Sequence, residues 1–377
     1  MIEAETPDAI NSAIDEGRPC VTHDSSALIA STVDVIIEAT GSVEIAARHA
    51  SAAIAAGKHF VMVTVEGDLV YGNHLRRMAE DAGVLYSAAY GDEPALAFEL
   101  WDWARALGFR VVAAGKGTRF LTSFRKANPD DVPRLYGFTG SDYNAQMFGS
   151  FLDGTKHAIE MCCLSNMSGL VPDIRGMHFP GIDLRDIPDK MCHRSKGGIL
   201  ENEGVVEAVS AARSDDEEVE RNLRGGLYAV IDGTVPAIIE SLNSYGSITG
   251  MITGERSGYA MVYRPQHFIG HEMPLTFVRM MTLGQTCGAP VTKTADVVAV
   301  AKRPLAVGTR LDGEGGFTVY GLAERSEIAE REHLVPIGLT AGAEVIADIP
   351  EDGMITYDNV RPADSFAYRM LRDQGSL

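Results

Sequence analysis

Along the first third of the chain, short apolar runs alternate with stretches whose apolar positions return at helical spacing. "ETPDAINSAIDEG" (5–17) reads as a helix that starts after Thr6, with Pro7 in its first turn and Gly17 at its stop. "PCVTHD" (19–24) reads as a short strand, and "VDVIIEAT" (33–40) as an apolar strand of a parallel sheet buried on both faces. Ser42 caps "VEIAARHASAAIAAG" (43–57), where Ile45, Ala46, His49, Ala50, Ala53 and Ile54 share one helical face and Gly57 closes the helix. "KHFVMVTV" and "VLYSAAY" are further strands, separated by a helix around "GNHLRRMAEDAG" (72–83). "GDEPALAFELWDWARALG" (91–108) turns into a long helix, and "FRVVAAGKG" (109–117) is one more strand. This βαβα succession predicts a parallel sheet with helices on both faces.

Beyond residue 117 the alternation stops, and residues 118–290 mix strands, loops and helices. The acidic stretch "SDDEEVER" (214–221) reads as a solvated helix or loop. From 291 onward, short strands punctuated by Gly, Pro and Asp argue a compact all-β module followed by a C-terminal tail. The expected architecture is therefore α/β. It comprises a Rossmann-like parallel sheet over 1–117, a central α+β catalytic or oligomerisation region over 118–290, and a β-module over 291–377. A dinucleotide-binding domain normally opens on a strand and a G-x-G-x-x-G turn, a spacing found nowhere in these 377 residues. The expectation is an N-terminally incomplete domain in which "VDVIIEATG" is the fourth strand with its cofactor-side turn.

Charge narrows the partners. The formal net charge is −19, which disfavours nucleic acid and anionic membrane. Five cysteines, two of them adjacent, fit neither a disulfide framework nor a zinc-finger spacing. Free, mostly buried thiols and a reducing cytoplasm are expected. No signal peptide and no apolar run of membrane-spanning length is present in the sequence.

Four places carry candidate chemistry. Asp92 and Glu93 follow a strand and open a helix, at the sheet edge where ligands bind in open α/β folds. They either hold Mg²⁺ or Mn²⁺ through carboxylate oxygen or simply favour the helix N-terminus. Lys116, between two glycines after an apolar strand, suits proton donation to a reduced carbonyl oxygen or capture of an anionic group; the plainer reading is a turn lysine. "SNMSGLVPDIRGMH" gathers Asn166, Asp173, Arg175 and His178 in a loop, where Asn166 would bind substrate hydroxyls and His178 act as acid or base. "YRPQHFIGHEMPLT" offers Arg264, His267, His271 and Glu272. Its H-x-x-x-H-E spacing is not that of a zinc helix, and Arg264 would grip a phosphate or carboxylate. In the nucleotide half, Thr40, Gly41 and Ser42 lie near the nicotinamide ribose if a cofactor binds, and Glu66 faces the same edge or is a turn acid.

Three blocks together resemble a known family. "VDVIIEATG…GKHFVM" is similar to the homoserine-dehydrogenase-like nucleotide-binding domain. "FLDGTKHAIEMCCLSNMSGLVPDIRGMHFP" with "YRPQHFIGHEMPLT" resembles the central region of the deoxyxylulose-5-phosphate reductoisomerase-like oxidoreductases. "AKRPLAVGTRLD…DIPEDGMITYDNV" resembles a SAF domain, the β-clip module of sialic acid synthases and antifreeze proteins. The resemblance implies an oxidoreductase using NADP or NAD, with Mg²⁺ or Mn²⁺ as a second expectation. Its substrate would be a small polyhydroxylated, sugar-derived carbonyl compound, phosphorylated in the named member. The resemblance strengthens Lys116, Asp92 and Glu93, and singles out His267 and Glu272 rather than His271. A homo-oligomer is expected. The competing readings are a metal-dependent sugar-acid lyase or isomerase and a non-catalytic carbohydrate-sensing module.

Overall fold

The computed structural model describes residues 1–138, 142–245 and 248–373. The nucleotide half runs β1 (Ile2–Glu3), α1 (Pro7–Asp15), β2 (Cys20–Val21), α2 (Ser25–Ala30), β3 (Val35–Glu38), α3 (Val43–Ala55), β4 (His59–Met62), α4 (Val65–Asp81), β5 (Tyr86–Ala88) and α5 (Glu93–Ala106). Strands β3, β4 and β5 form a three-stranded parallel sheet, with Val35 opposite His59 and Phe60 opposite Tyr86. The strand expected in "PCVTHD" is only two residues long and pairs with β1 in a separate parallel ribbon. Helix starts follow side-chain caps: Thr6, Asp24, Ser42 and Asp92 each accept from a backbone N–H in the first turn that follows. Along α3, Ala46, Ala47, Ala50 and Ala53 are fully buried, and these small residues let the helix lie close on the sheet. Ile45, expected on that face, is exposed. Helix α4 begins seven residues earlier than the sequence pattern suggests, so Glu66 stands in its buried first turn rather than in a surface turn.

The central region adds β6 (Arg110–Thr118), α6 (Val132–Tyr136), α7 (Ala145–Leu152), α8 (Thr155–Ser168), β7 (Val171–Pro172), α9 (Ile187–Lys190), β8 (Val205–Ser210), β9 (Leu227–Asp232), α10 (Pro236–Tyr245), β10 (Ile252–Thr253), β11 (Ala260–Arg264) and α11 (Pro274–Leu283). Its six strands form one mixed sheet in the order β10-β11-β9-β6-β8-β7. Strand β6 was expected to continue the nucleotide sheet. Instead it lies in the middle of this second sheet, antiparallel to β9 and parallel to β8. An apolar run buried on both faces suits either position, so periodicity cannot assign it. The glycines beside Lys116 are required by this packing. A Cβ on Gly115 would stand 1.9 Å from the Glu207 carbonyl oxygen, and one on Gly117 2.0 Å from that of Leu223. The acidic stretch 214–221 is a solvent-exposed connection with only Val219 buried.

The last module contains β12 (Ala295–Ala301), β13 (Val319–Arg325), α12 (Ser326–Arg331), β14 (Glu344–Val345), β15 (Val360–Arg361) and α13 (Phe366–Asp373). Strands β12 and β13 pair antiparallel, as do β14 and β15. The module is not purely β, since α12 interrupts it. Helix α13 returns to the nucleotide half, where Glu44 accepts from the Phe366 and Ala367 N–H groups at 3.2 and 3.0 Å. Helix α8 is the spine of the molecule, packed against α4, α5, β8, β12 and β13. The cysteines are free thiols, four of them buried. Among the described residues no helix is long and apolar enough to cross a membrane.

Candidate functional site

The carboxyl ends of β3, β4 and β5 stand side by side, so the turns that follow them share one edge. After β3, Thr40 and Gly41 are exposed. Gly41 has φ +70°, and nothing lies within 4 Å of where its Cβ would be. The turn is braced from within. Glu38 accepts from the Thr40 N–H at 2.6 Å, and the Thr64 hydroxyl after β4 accepts from the Gly41 N–H at 3.0 Å. Ser42 is committed to capping α3. The turn is thus satisfied from within and open on its outer face.

After β5, the chain turns through Gly91 into α5 and delivers Glu93 to a buried cluster. Lys116, from β6, places its ammonium between two carboxylates. It donates to Glu93 and, at 2.5 Å, to Glu160 on α8. Lys116 is 1% exposed, Glu93 6% and Glu160 2%, so this is a charge triad inside the protein. Burial alone would lower the lysine, but the charges of Glu160 and Glu93 outweigh it and hold the amine above its ordinary value. Burial, then the Glu160 charge, pushes the Glu93 carboxyl up. Burial opposes the Glu160 carboxylate too, yet the Lys116 charge, with the His157 imidazole 3.9 Å away, holds it below the usual carboxylate range. One carboxyl of the pair is thus poised to hold a proton while the other stays ionised.

Two histidines flank the triad. His157 is buried, hydrogen-bonded through Nε2 to the Thr118 hydroxyl at 2.9 Å, with Nδ1 3.9 Å from Glu160. Burial, then the Lys116 charge, drives it down to about 4, so it is neutral at physiological pH. His267 is partly exposed and tethered by its Nδ1 to the Gly225 carbonyl at 2.8 Å. That bond directs Nε2 toward Glu93, 3.9 Å away. His267 is therefore the group of the cluster that reaches the outside.

Other candidates fall around this core with different duties. Arg264 is occupied by Glu272 and also donates to the Tyr90 hydroxyl at 3.2 Å. Glu272 in turn accepts from the Phe268 N–H at 3.0 Å and packs on Gly91, where a Cβ would approach its own Cβ at 2.8 Å. Arg264, expected to grip an anionic substrate, is thus already neutralised and clamps the 264–272 segment over the turn after β5. Asp92 caps α5, and burial, then Glu160, raises it to about 7. Glu66, expected to face the cofactor, is paired with Lys156 inside the protein.

The metal expectation does not survive this geometry. Asp92 is turned to its own helix N-terminus, and Glu93 is occupied by the Lys116 ammonium, which stands where a cation would be needed. Among the described residues no group of His, Cys, Asp or Glu is arranged to hold a metal ion. The chain's donor set fits an internal ammonium rather than Mg²⁺ or Mn²⁺.

The expected loop cluster is dispersed. Asn166 lies in α8, not in a loop, with its amide spent on the backbone of residues 294 and 295. Asp173 holds the Glu201 and Asn202 N–H groups, and Arg175 is paired with Glu324 and Glu332 of the last module. His178 is bound to Glu207 at 2.8 Å, which raises its pKa, and it has no bond to the Lys116 triad among the described residues. Glu160, His157 and Lys156 were not legible as site residues, although K-H-x-x-E in "TKHAIE" does place His157 and Glu160 one turn apart on a helix.

Residues 8–88 match the family model described as homoserine dehydrogenase, NAD binding domain. Residues 91–273 match oxidoreductase DRL, catalytic domain, and residues 296–361 match the SAF domain. No curated protein matches the chain. Among solved structures, an NAD binding oxidoreductase from Klebsiella pneumoniae is 16% identical, covering 62% of this chain and 55% of that one, with a TM-score of 0.31. A homoserine dehydrogenase from Thiobacillus denitrificans is 22% identical over 45% of this chain and 41% of that one, with a TM-score of 0.31. In chain order, the three domain matches make this protein similar to an NAD-binding oxidoreductase with a homoserine-dehydrogenase-type cofactor domain, a DRL catalytic domain and a SAF domain, and the activity class they support is an NAD(P)-dependent oxidoreductase.

Proposed function

We propose that the protein reduces, or in reverse forms, the carbonyl group of a small polyhydroxylated, sugar-derived substrate at the edge shared by the turns after β3, β4 and β5. The observation that supports this reading is that the open Gly41 turn after β3 and the turn after β5 that delivers Glu93 to Lys116, Glu160 and His267 leave the same edge of one parallel sheet. A bound dihydronicotinamide supplies a hydride to the carbonyl carbon. The chain's own task is then to deliver one proton to the carbonyl oxygen.

His267 is the residue that meets the substrate oxygen. It receives a proton on Nε2 from Glu93, with a short closing movement or one bridging water covering the 3.9 Å between them. It passes that proton to the oxygen, and the carbonyl becomes an alcohol. Lys116 is too deeply buried to touch the substrate and acts through Glu93, keeping a charge beside it that decides when its proton leaves. A ketose phosphate that rearranges before reduction is one member of this substrate class. The oxidoreductase matches do not favour the lyase and sensing alternatives, and the lyase would need the metal that Asp92 and Glu93 do not fit.

The test begins with titration of NADPH, then NADH, into the full chain, followed by single-turnover oxidation of the bound cofactor with a panel of ketoses and sugar acids. The expected result is saturable binding and a substrate-dependent hydride transfer. His267→Ala should slow that transfer about 100- to 10,000-fold with cofactor affinity unchanged. Absence of binding by either cofactor would overturn the reading.

A further inference from the structure

The Lys116 triad has a second ammonium beside it. Lys156 and Glu160 stand one turn apart on the same face of α8, the spacing at which a lysine acts on a carboxylate. Glu160 therefore feels two cations: Lys116 in contact and Lys156 from the preceding turn. Glu93 faces only one ammonium, that of Lys116, together with the His267 imidazole. The other titratable groups around the pair are Asp92 at the start of α5, which the Lys156 charge also reaches, and the neutral His157 of α8. On charge alone, Glu160 is the better seat for a negative charge and Glu93 the better seat for a proton.

Lys156 is held in place from three parts of the chain. It pairs with Glu66 in the first turn of α4, two residues after the Thr64 that takes the Gly41 N–H. The second carboxyl acting on it is Glu314, from the connection between β12 and β13 of the SAF-like module. That connection is fastened to α7. Gln146 donates to the Asp312 and Glu314 carbonyls at 2.9 and 2.8 Å, and a Cβ on Gly315 would stand 2.0 Å from the Gln146 carbonyl oxygen. The Asp312 carboxylate closes the loop on itself, accepting from the Phe317 and Thr318 N–H groups at 2.6 and 3.1 Å. Burial opposes the Lys156 charge, but Glu66, then Glu314 and Glu160, outweigh it and keep the ammonium. Burial, then the Glu66 charge, pushes the Glu314 carboxyl up. The two glutamates thus share Lys156, and ionisation of Glu314 would replace a lost Glu66. We propose that Lys156, held between Glu66 and Glu314, is a positioning residue that keeps Glu160 ionised and the transferable proton on Glu93, beside His267. The inference rests on the reduction proposed above for what the proton does, but not for where it sits.

Single-turnover oxidation of NADPH by the full chain, followed against pH, tests it. Transfer needs the proton on Glu93, so the rate falls as pH rises through the titration of the pair. Lys156→Met removes a cation. The falling limb should move up by about 0.5–1.5 pH units, and the rate below it should drop because the proton is then shared with Glu160. Lys156→Arg should restore both. The Glu66→Gln, Glu314→Gln double variant removes both anions that draw on Lys156 and should move the limb down. A lysine that only joined the three parts of the chain would not move the limb in opposite directions. The same midpoints are read without turnover from the infrared band of a protonated carboxylic acid, taken as the difference between each chain and its Glu93→Gln counterpart. Midpoints that shift as stated in a parent that transfers no hydride would sink the reduction and leave this inference standing. Midpoints that stay in place in Lys156→Met, or that move the same way in Lys156→Met and the double variant, would overturn it. If Lys156→Met does not fold, a double variant whose midpoint fails to move down overturns it alone.

Discussion

Replacing Lys116 by methionine removes the ammonium that two buried carboxylates share, while keeping most of the side chain's volume. Breaking one partner of such a pair is expected to cost about 3–5 kcal/mol, because uncompensated charge is left in the interior. Urea unfolding of Lys116→Met at pH 7.5 measures this, and a loss under about 1 kcal/mol would mean that the triad is not the buried charge centre described. Asp92 gives the pH signature. Its folded pKa, about 7, lies above its ordinary value of 3.8. The folded state therefore holds more protons than the unfolded state between those values, and stability falls as pH rises through that window. Asp92→Asn keeps an N-cap for α5 and removes the titration. The variant should be more stable than the parent by about 1–3 kcal/mol at pH 7.5 and show no comparable advantage at pH 3.5, which unfolding at the two pH values would show. Glu93 and Asp92 were legible because they follow a strand, where α/β folds place their ligands, and Lys116 because two glycines bracket it, although it lies inside β6 rather than in the turn after it. Glu160 and His157 were not, because α8 is buried on nearly every side and a helix without a polar face gives no pattern to read.

At the scale of elements, the strands and helices of the first third are visible in the sequence, but which sheet a strand joins is not. Strand β6 shows the limit: its neighbours β8 and β9 come about 90 and 110 residues later, and no local periodicity encodes that pairing. The same holds for the latch between α8 and β12. The Asn166 oxygen accepts from the Thr294 and Ala295 N–H groups at 2.9 and 3.1 Å, and its amide donates to the Ala295 carbonyl at 3.2 Å. Read in sequence, an asparagine beside glycine and proline looks like a loop residue open to substrate. In the folded chain it fixes where the SAF-like module begins. Asn166→Ala leaves two backbone donors and one acceptor buried and unpaired, and should cost about 2–4 kcal/mol of stability. Because Asn166 has no bond to the Lys116 triad, the rate of hydride transfer per folded molecule should be unchanged. A large fall in that rate with intact stability would return Asn166 to the substrate, as the sequence suggested.

The whole molecule carries a net charge of −19 and, in the proposed function, receives a dinucleotide that is itself an anion. The long-range field repels the ligand even where the Gly41 turn accepts it. Salt screens that field, with a Debye length of about 30 Å at 0.01 M and about 8 Å at 0.15 M. The association rate of NADPH should therefore rise with ionic strength across this range, by a few-fold, the reverse of an enzyme that steers an anionic ligand with a basic cleft. The dissociation rate, set by contacts inside the site, should change far less. Stopped-flow fluorescence of NADPH binding at the two salt concentrations separates the two rates. A rate that falls as salt is added would mean that a local positive potential dominates at the mouth. The exposed basic residues nearest the edge shared by β3, β4 and β5 would then have to be part of the cofactor site, which the present geometry of the Thr40–Gly41 turn does not require.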